Sequence, residues 1–213
     1  RATLDMGDDV YGSKDFIASQ TIPQGNYWWV WTNTWQNMIT ESKDGGRSGF
    51  WNGWEQIRIC NQGFKNLHLL VGATDEEVRR IKGQLHFFRA WYHFELARLW
   101  GGLPYIDRFL EPGDNMRFPR LSFRETLLRI IADLEEAAAC LPEDWNAGEA
   151  GSPDMGRATR GAALALKARA YLYAASPLTT RIEKGVAEYD PELCAEAAKA
   201  AWEVIQMADR GIY

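Results

Sequence analysis

Four tryptophans lie within eight positions of one another in the stretch NYWWVWTNTWQNM, residues 26–38. An indole ring has a flat apolar face and one polar edge, so clustered indoles can stack on a flat ligand such as a sugar ring. Amide side chains in the same stretch can bind the hydroxyl groups around such a ring. This pattern predicts carbohydrate binding. The candidate ligand-binding residues are Trp28, Trp29, Trp31, Asn33 and Gln36.

A core helix is the alternative interpretation of the same stretch. On a helix, Tyr27, Trp31 and Trp35 would share one face and could simply be buried. The flanking segments PQGN and ESKDGGRSG are turn-forming, which favours an exposed loop. Both interpretations remain open, and Trp35 is the best candidate for a core position.

Catalytic chemistry has little support in the residue pattern. A glycosidase needs two carboxylates that face each other across a cleft, and Glu41, Asp44 and Asp114 could supply them. The sequence contains no recognisable Ser/His/Asp or Cys/His grouping and no phosphate-binding loop. We therefore expect no catalytic residues and no enzyme activity.

Metal binding is also weakly indicated. His86 and His93 lie seven positions apart on one helical face, but no cysteine or carboxylate completes a zinc set at the usual spacing. Asp8 and Asp9 offer oxygen ligands, yet the spaced oxygens of a calcium-binding loop are missing. We expect no metal and no cofactor, and the sequence leaves a bound calcium open.

The amino-acid composition limits the class of protein and of partner. The chain has 213 residues, 46% hydrophobic and 25% charged, which is typical of a globular protein. A net charge of −5 without a basic cluster argues against nucleic acid as a partner. The three cysteines, Cys60, Cys140 and Cys194, lie far apart in helical patterns and are interpreted as small apolar residues. No apolar run reaches the roughly 18 residues of a membrane-spanning helix.

Helical patterns follow one another from about residue 50. The first predicted helix covers residues 50–71, and capping boxes at Thr74 and Ser122 begin the next two. We expect the second helix to bury a stripe of Leu85, Phe88, Tyr92 and Leu99. A small-residue-rich helix then ends before Pro177, and Asp190-Pro191 opens the last one. The fold class is therefore all-α.

Three motifs in the chain carry a family resemblance. IKGQLHFFRAWYHFELARLWGGLPYID, residues 81–107, is similar to the central pattern of the SusD/RagB family of surface lipoproteins from Bacteroidetes. WEQIRICNQGFKNL, residues 54–67, and GRATRGAALALKARAYLYAAS, residues 156–176, are similar to two further family segments in the family order. The positions that carry the central pattern are Gly83, Phe87, Arg89, Ala90, Phe94, Leu96, Trp100, Gly101, Gly102 and Pro104.

The resemblance implies a tetratricopeptide-like helical-hairpin array with long loops and minor strand content in those loops. It implies a loop-rich, Trp-rich segment at residues 1–50, packed on a helical scaffold at residues 51–213, and a family C-terminal half that is absent from this chain. It also implies an oligosaccharide ligand and a TonB-dependent outer-membrane transporter of the SusC type as partner. The protein would lie at the cell surface, held to the outer membrane by a lipid anchor that is not present in this chain. A tetratricopeptide-type interaction module that binds a peptide or a protein partner is the alternative.

Alanine substitutions at the four clustered tryptophans test whether the stretch is a platform, meaning a set of exposed indoles that stack on sugar rings. Trp28→Ala, Trp29→Ala and Trp31→Ala should each weaken glycan binding by about 1 kcal/mol or more, because each removes a stacking face. The melting temperature should change little, since substitutions at exposed positions usually cost little stability. Trp35→Ala should instead lower the melting temperature. If all four variants unfold and none binds selectively worse, the stretch is core.

Overall fold

The structure, a computed structural model, describes residues 53–145, 154 and 156–209. The chain divides into two units, Arg1–Asn52 and Gly53–Tyr213, and the first lies outside the described residues. In the second unit the helices are α1 (Gly53–Asn66), α2 (Asp75–Trp100), α3 (Phe123–Cys140), α4 (Arg160–Ala175), α5 (Pro177–Lys184) and α6 (Pro191–Asp209), with a 3₁₀ turn at Leu67–Leu69 after α1. The predicted all-α class is confirmed. No strand occurs in the described ranges, so the minor strand content expected of the loops is not found there.

Local capping chemistry fixes where α2 and α3 begin. The Thr74 hydroxyl accepts a hydrogen bond from the backbone N–H of Glu77, and the Glu77 carboxylate accepts one from the Thr74 N–H at 2.8 Å. Ser122 and Glu125 form the same reciprocal pair at the start of α3. Each box satisfies two backbone donors that a helix start otherwise leaves unpaired, so both predicted starts are confirmed.

The predicted end of the first helix was too late, and α5 was not predicted. After Asn66 the chain tightens into the 3₁₀ turn, in which the N–H of Leu70 bonds to the carbonyl of Leu67, and Val71 beyond it is 98% exposed. The helix α5 begins directly at Ser176-Pro177, where the Ser176 hydroxyl accepts from the Thr179 N–H. Serine before proline is a known helix-start signal and could have revealed it.

Helices that follow one another in the chain pack on one another. α1 packs on α2, α2 on α3, α3 on α4, and α4 on α6, while α5 makes lighter contacts with α3 and α4. Such nearest-neighbour packing is characteristic of tetratricopeptide-like helical-hairpin arrays. Small residues of α4 allow its close approach to α3 and α6: Ala163, Ala170 and Ala174 are fully buried.

The buried face of α2 differs from the expected one. Phe88 is 40% exposed, and Leu85, Tyr92 and Leu99 are only half-buried. The helix lies between α1 and α3 and therefore buries two faces, one of which carries charged and polar side chains. An apolar stripe in the sequence cannot reveal such a face, because its burial depends on hydrogen-bond partners from other helices. The buried positions of α2 are Gly83, His86, Phe87, Arg89, Ala90, His93, Phe94, Leu96 and Ala97.

Two adjacent leucines of α3 provide a matched test of the core. Leu127 is fully buried, whereas Leu128 is 39% exposed. Leu127→Ala should lower the free energy of unfolding by about 2 to 5 kcal/mol, because it leaves a cavity in the core. Leu128→Ala should cost less than about 1 kcal/mol. Urea denaturation measures both, and equal costs would contradict the burial of α3 described here.

Candidate functional site

A buried carboxylate, Asp133 of α3, organises the polar face of α2. Arg89 donates to both of its oxygens, from Nε to Oδ2 at 2.7 Å and from Nη2 to Oδ1 at 2.6 Å. His86 Nδ1 lies 2.9 Å from Oδ1, and the Tyr105 hydroxyl donates to Oδ2 at 2.5 Å. Each carboxylate oxygen therefore has two partners, which is the arrangement that a buried charge requires.

The same guanidinium holds α1 and the loop that follows α2. Its Nη1 donates to Asn61 Oδ1 of α1 and to the backbone carbonyl of Asp107, both at 2.9 Å. Asn61 in turn donates from Nδ2 to the carbonyl of Ile106 at 2.9 Å. One arginine thus connects three helices and positions residues 105–107. These contacts make Arg89 and Asn61 structural residues of the helical unit.

The hydrogen bonds around Asp133 keep its carboxyl group ionised. Burial alone would raise the pKa of the Asp133 carboxyl, but hydrogen bonds from Arg89, His86 and Tyr105 outweigh burial and hold that pKa well below its usual range. Burial raises the pKa of the nearby Cys60 thiol to about 12, so this cysteine stays a neutral thiol. Removing one member of the ion pair would leave an uncompensated buried charge, which is strongly destabilising.

His93 is neutral in this environment. Its Nδ1 lies 2.8 Å from the carbonyl oxygen of Arg89, and its Nε2 lies 3.2 Å from the backbone nitrogen of Ile106. Only the neutral tautomer with the proton on Nδ1 satisfies both contacts, because Nε2 must accept from the Ile106 N–H. Burial lowers the pKa of His93 to about 4. The imidazole ring also stacks on Tyr105, with ring centroids 3.9 Å apart.

His86 does not join His93 in a metal site. Its Nδ1 is committed to Asp133, while Nε2 is buried and has no hydrogen-bond partner in the part of the chain that the structure describes. His93 uses both ring nitrogens for backbone contacts. Among the described residues, no three metal-ligating side chains come together.

The turn that ends α2 depends on two glycines. Gly101 has a φ of 75°, in the region that favours glycine. A Cβ on Gly102 would lie 2.1 Å from the carbonyl oxygen of Leu121, so the chain entering α3 approaches too closely for any side chain. The Thr126 hydroxyl holds the same crossing, since it lies 3.2 Å from the N–H and 3.3 Å from the carbonyl of Leu103.

A groove of about 870 Å³ opens beside this turn. Its walls come from the end of α2, the start of α3, the end of α4 and α5, so the crossing at Gly102 forms one side of it. Its most exposed aliphatic side chains are Leu172, Leu178 and Ile182, which are 53%, 67% and 69% exposed. Arg120 fixes the rim by donating to the carbonyls of Gly102 at 2.6 Å and Trp100 at 2.8 Å. Phe123, Tyr173 and Tyr189 add aromatic surface.

The sequence-predicted ligand residues lie elsewhere in the chain. Trp28, Trp29, Trp31, Asn33 and Gln36 all fall outside the described residues, as do Glu41 and Asp44. Asp114 is described: it accepts a hydrogen bond from Arg108 Nη1 at 2.8 Å and one from the Glu111 N–H at 2.9 Å, which orders its own loop. Sequence reasoning missed Asp133 and Tyr105. The signal for Asp133 was a lone aspartate within the apolar run LLRIIADL.

Comparison with known proteins decides the family. The family model described as starch-binding and associating with the outer membrane, SusD-like, matches residues 7–172. The chain belongs to the SusD-like family. The resemblance carried by the three sequence motifs is thereby confirmed, and the family match includes the tryptophan-rich stretch.

Relatives of this SusD-like chain are much longer than it is. SusD-like protein P2 of Formosa agariphila is 31% identical over 110 residues, which make up 50% of this chain and 22% of the relative. A crystal structure of a SusD-like protein from Bacteroides fragilis is 32% identical, with a TM-score of 0.54, and the match covers 71% of this chain and 26% of that one. A SusD superfamily structure from Parabacteroides distasonis is 27% identical, with a TM-score of 0.58 and coverage of 82% and 34%.

The neutral state of His93 makes stability depend on pH. Its pKa is about 4 in the folded protein and 6.5 in the unfolded chain, so between these values only the unfolded chain binds the proton. Stability should therefore be complete above pH 6.5 and fall by about 3 kcal/mol as the pH drops to 4. Urea denaturation across this window measures the loss, and the His93→Gln variant should show a flatter dependence. Ring ¹⁵N shifts that report a midpoint near 6.5, or a proton on Nε2, would contradict this assignment.

Proposed function

We propose that this SusD-like protein binds an oligosaccharide without cleaving it and delivers it to a TonB-dependent transporter of the SusC type. The observation that carries the proposal is the family match over residues 7–172, since that family is described as starch-binding. An α-glucan of the starch type is therefore the first ligand to test. The protein would act at the cell surface, held to the outer membrane by a lipid anchor.

The tryptophan-rich stretch is the proposed contact with sugar. It lies inside the family match, and it combines indole faces for stacking with amide groups for hydroxyls. In this proposal residues 1–50 supply the ligand contacts and residues 51–213 serve as the scaffold. Trp28, Trp29 and Trp31 are the stacking residues, with Asn33 and Gln36 as their polar partners.

The two buried aspartates of the described scaffold are committed to structural contacts. Asp133 is surrounded by Arg89, His86 and Tyr105, so it has no room to act on a substrate. Asp190, the other buried aspartate, accepts hydrogen bonds from Arg124 and Lys184, both at 3.0 Å, and caps α6 through the Leu193 N–H at 3.3 Å. Acid–base chemistry needs a carboxylate within reach of the scissile bond, and these two are committed to protein partners.

Binding to a panel of glycans tests the proposal. The 213-residue chain would be measured by calorimetry against maltooligosaccharides, soluble starch, a β-glucan and a xylan, and against a peptide library. We expect saturable binding to one class of glycan and no release of reducing sugar on prolonged incubation. Trp202→Ala provides a matched control, because Trp202 is an exposed indole of α6, 56% exposed and outside the predicted platform.

Three outcomes would contradict the proposal. Retention of peptides alone would favour the interaction-module alternative, release of reducing sugar would establish an enzyme, and equal losses from Trp28→Ala and Trp202→Ala would show that the stretch is not a selective platform. Delivery has its own test. In its native cells, the protein should fractionate with the outer membrane and co-purify with a TonB-dependent transporter.

A further inference from the structure

The groove beside the Gly101-Gly102 turn is mainly apolar. Among the described residues, those that line it include no Asp, Glu, Asn, Gln or His. Its polar groups are two arginines and the hydroxyls of Ser122, Ser176 and two tyrosines. Ser122 and Ser176 already cap α3 and α5. The side chains that line the groove thus differ from those of the tryptophan-rich stretch, which combines indoles with amides.

Exposed aliphatic side chains give the groove its character. Leu178 and Ile182 lie four positions apart on α5, so they project from the same face of that helix. Leu172 at the end of α4 and Tyr189 after α5 are also lining residues, and Tyr189 is 67% exposed. An exposed and contiguous apolar surface of this kind typically marks a contact with another polypeptide.

The charges at the rim are positive and incompletely neutralised. Arg98 is paired with Glu95 at 2.6 Å. Arg120 donates only to backbone carbonyls, and no carboxylate within the described ranges pairs with it. A partner with acidic groups beside an apolar stripe would complement this surface.

We propose that the groove binds an amphipathic α-helix of a partner protein, with apolar residues at helical spacing and carboxylates along one edge. The aliphatic residues of the helix would contact Leu172, Leu178 and Ile182, and a carboxylate would pair with Arg120. A helix fits better than an added strand, because the walls are formed by helices and turns and offer no strand edge among the described residues. The volume of about 870 Å³ is sufficient for several apolar side chains. This binding is independent of the proposed glycan site.

A designed peptide is the direct probe. A fluorescein-labelled amphipathic helix with leucines at positions i, i+3, i+4 and i+7 and glutamates along one edge would be titrated with the 213-residue chain by fluorescence polarisation. A second peptide keeps the leucines and replaces glutamate with lysine, and a third is scrambled. We expect the acidic peptide to bind, with weaker affinity at high salt, and the other two to bind at least about tenfold more weakly.

Substitutions in the chain locate the site. The double variant Leu178→Ser with Ile182→Ser should lower the affinity for the acidic peptide at least about tenfold. Ile205→Ser, at an exposed position of α6, should leave that affinity unchanged. Arg120→Gln should weaken binding and reduce its salt dependence. Arg120→Lys should keep the affinity and its salt dependence because the positive charge is retained. Arg117→Gln serves as the matched control. Unchanged melting temperatures would show that these exposed substitutions leave the fold intact.

Other results would overturn the proposal. Equal binding of the acidic and lysine peptides would mean that the rim charges do not select the partner. Self-association that Leu178→Ser with Ile182→Ser abolishes, with no peptide binding, would assign the groove to a second copy of the chain. If neither peptide binding nor self-association is observed, the groove is not a docking site. Glycan binding is measured separately and should be unaffected by every groove variant, so failure of one proposal leaves the other intact.

Discussion

The buried ion pair between Arg89 and Asp133 is the interaction on which the described helical unit depends. It joins α2 to α3, and the remaining guanidinium nitrogen extends it to α1 and to the loop after α2. A buried pair of this kind is weak evidence for stability, because desolvation offsets much of the attraction. Its main effect here is geometric: the paired charges hold α2 against α3, and the hydrogen bond from Arg89 to Asn61 adds α1.

The loop after α2 takes its course from that register. Asp107 and Ile106 are held by Arg89 and Asn61, His93 accepts from the backbone of Ile106, and Tyr105 reaches Asp133. The chain then returns across Gly102 to begin α3, and this crossing forms one wall of the apolar groove. A surface feature is thus determined by polar contacts in the interior. Loops set on a rigid scaffold in this way commonly carry binding functions.

Two features of the chain suit different kinds of ligand. The tryptophan-rich stretch has the residue types for sugar, whereas the groove has aliphatic walls and cationic rims suited to an acidic helix. In the described region no helix is long and apolar enough to cross a membrane.

The sequence by itself determined five of the six described α-helices and the family. The capping boxes at Thr74 and Ser122 act within four residues, so they can be read locally, and the three motifs led to the SusD-like family before any contact was known. Tertiary structure decided which faces are buried. Phe88 matched an apolar stripe yet lies partly in solvent, while Arg89 and Asp133 are buried because each neutralises the other across 44 positions of sequence. The groove was equally beyond prediction, since its walls come from four separate segments that only packing brings together. Periodicity reports one helix at a time, whereas burial of charge and the shape of a surface depend on partners distant in sequence.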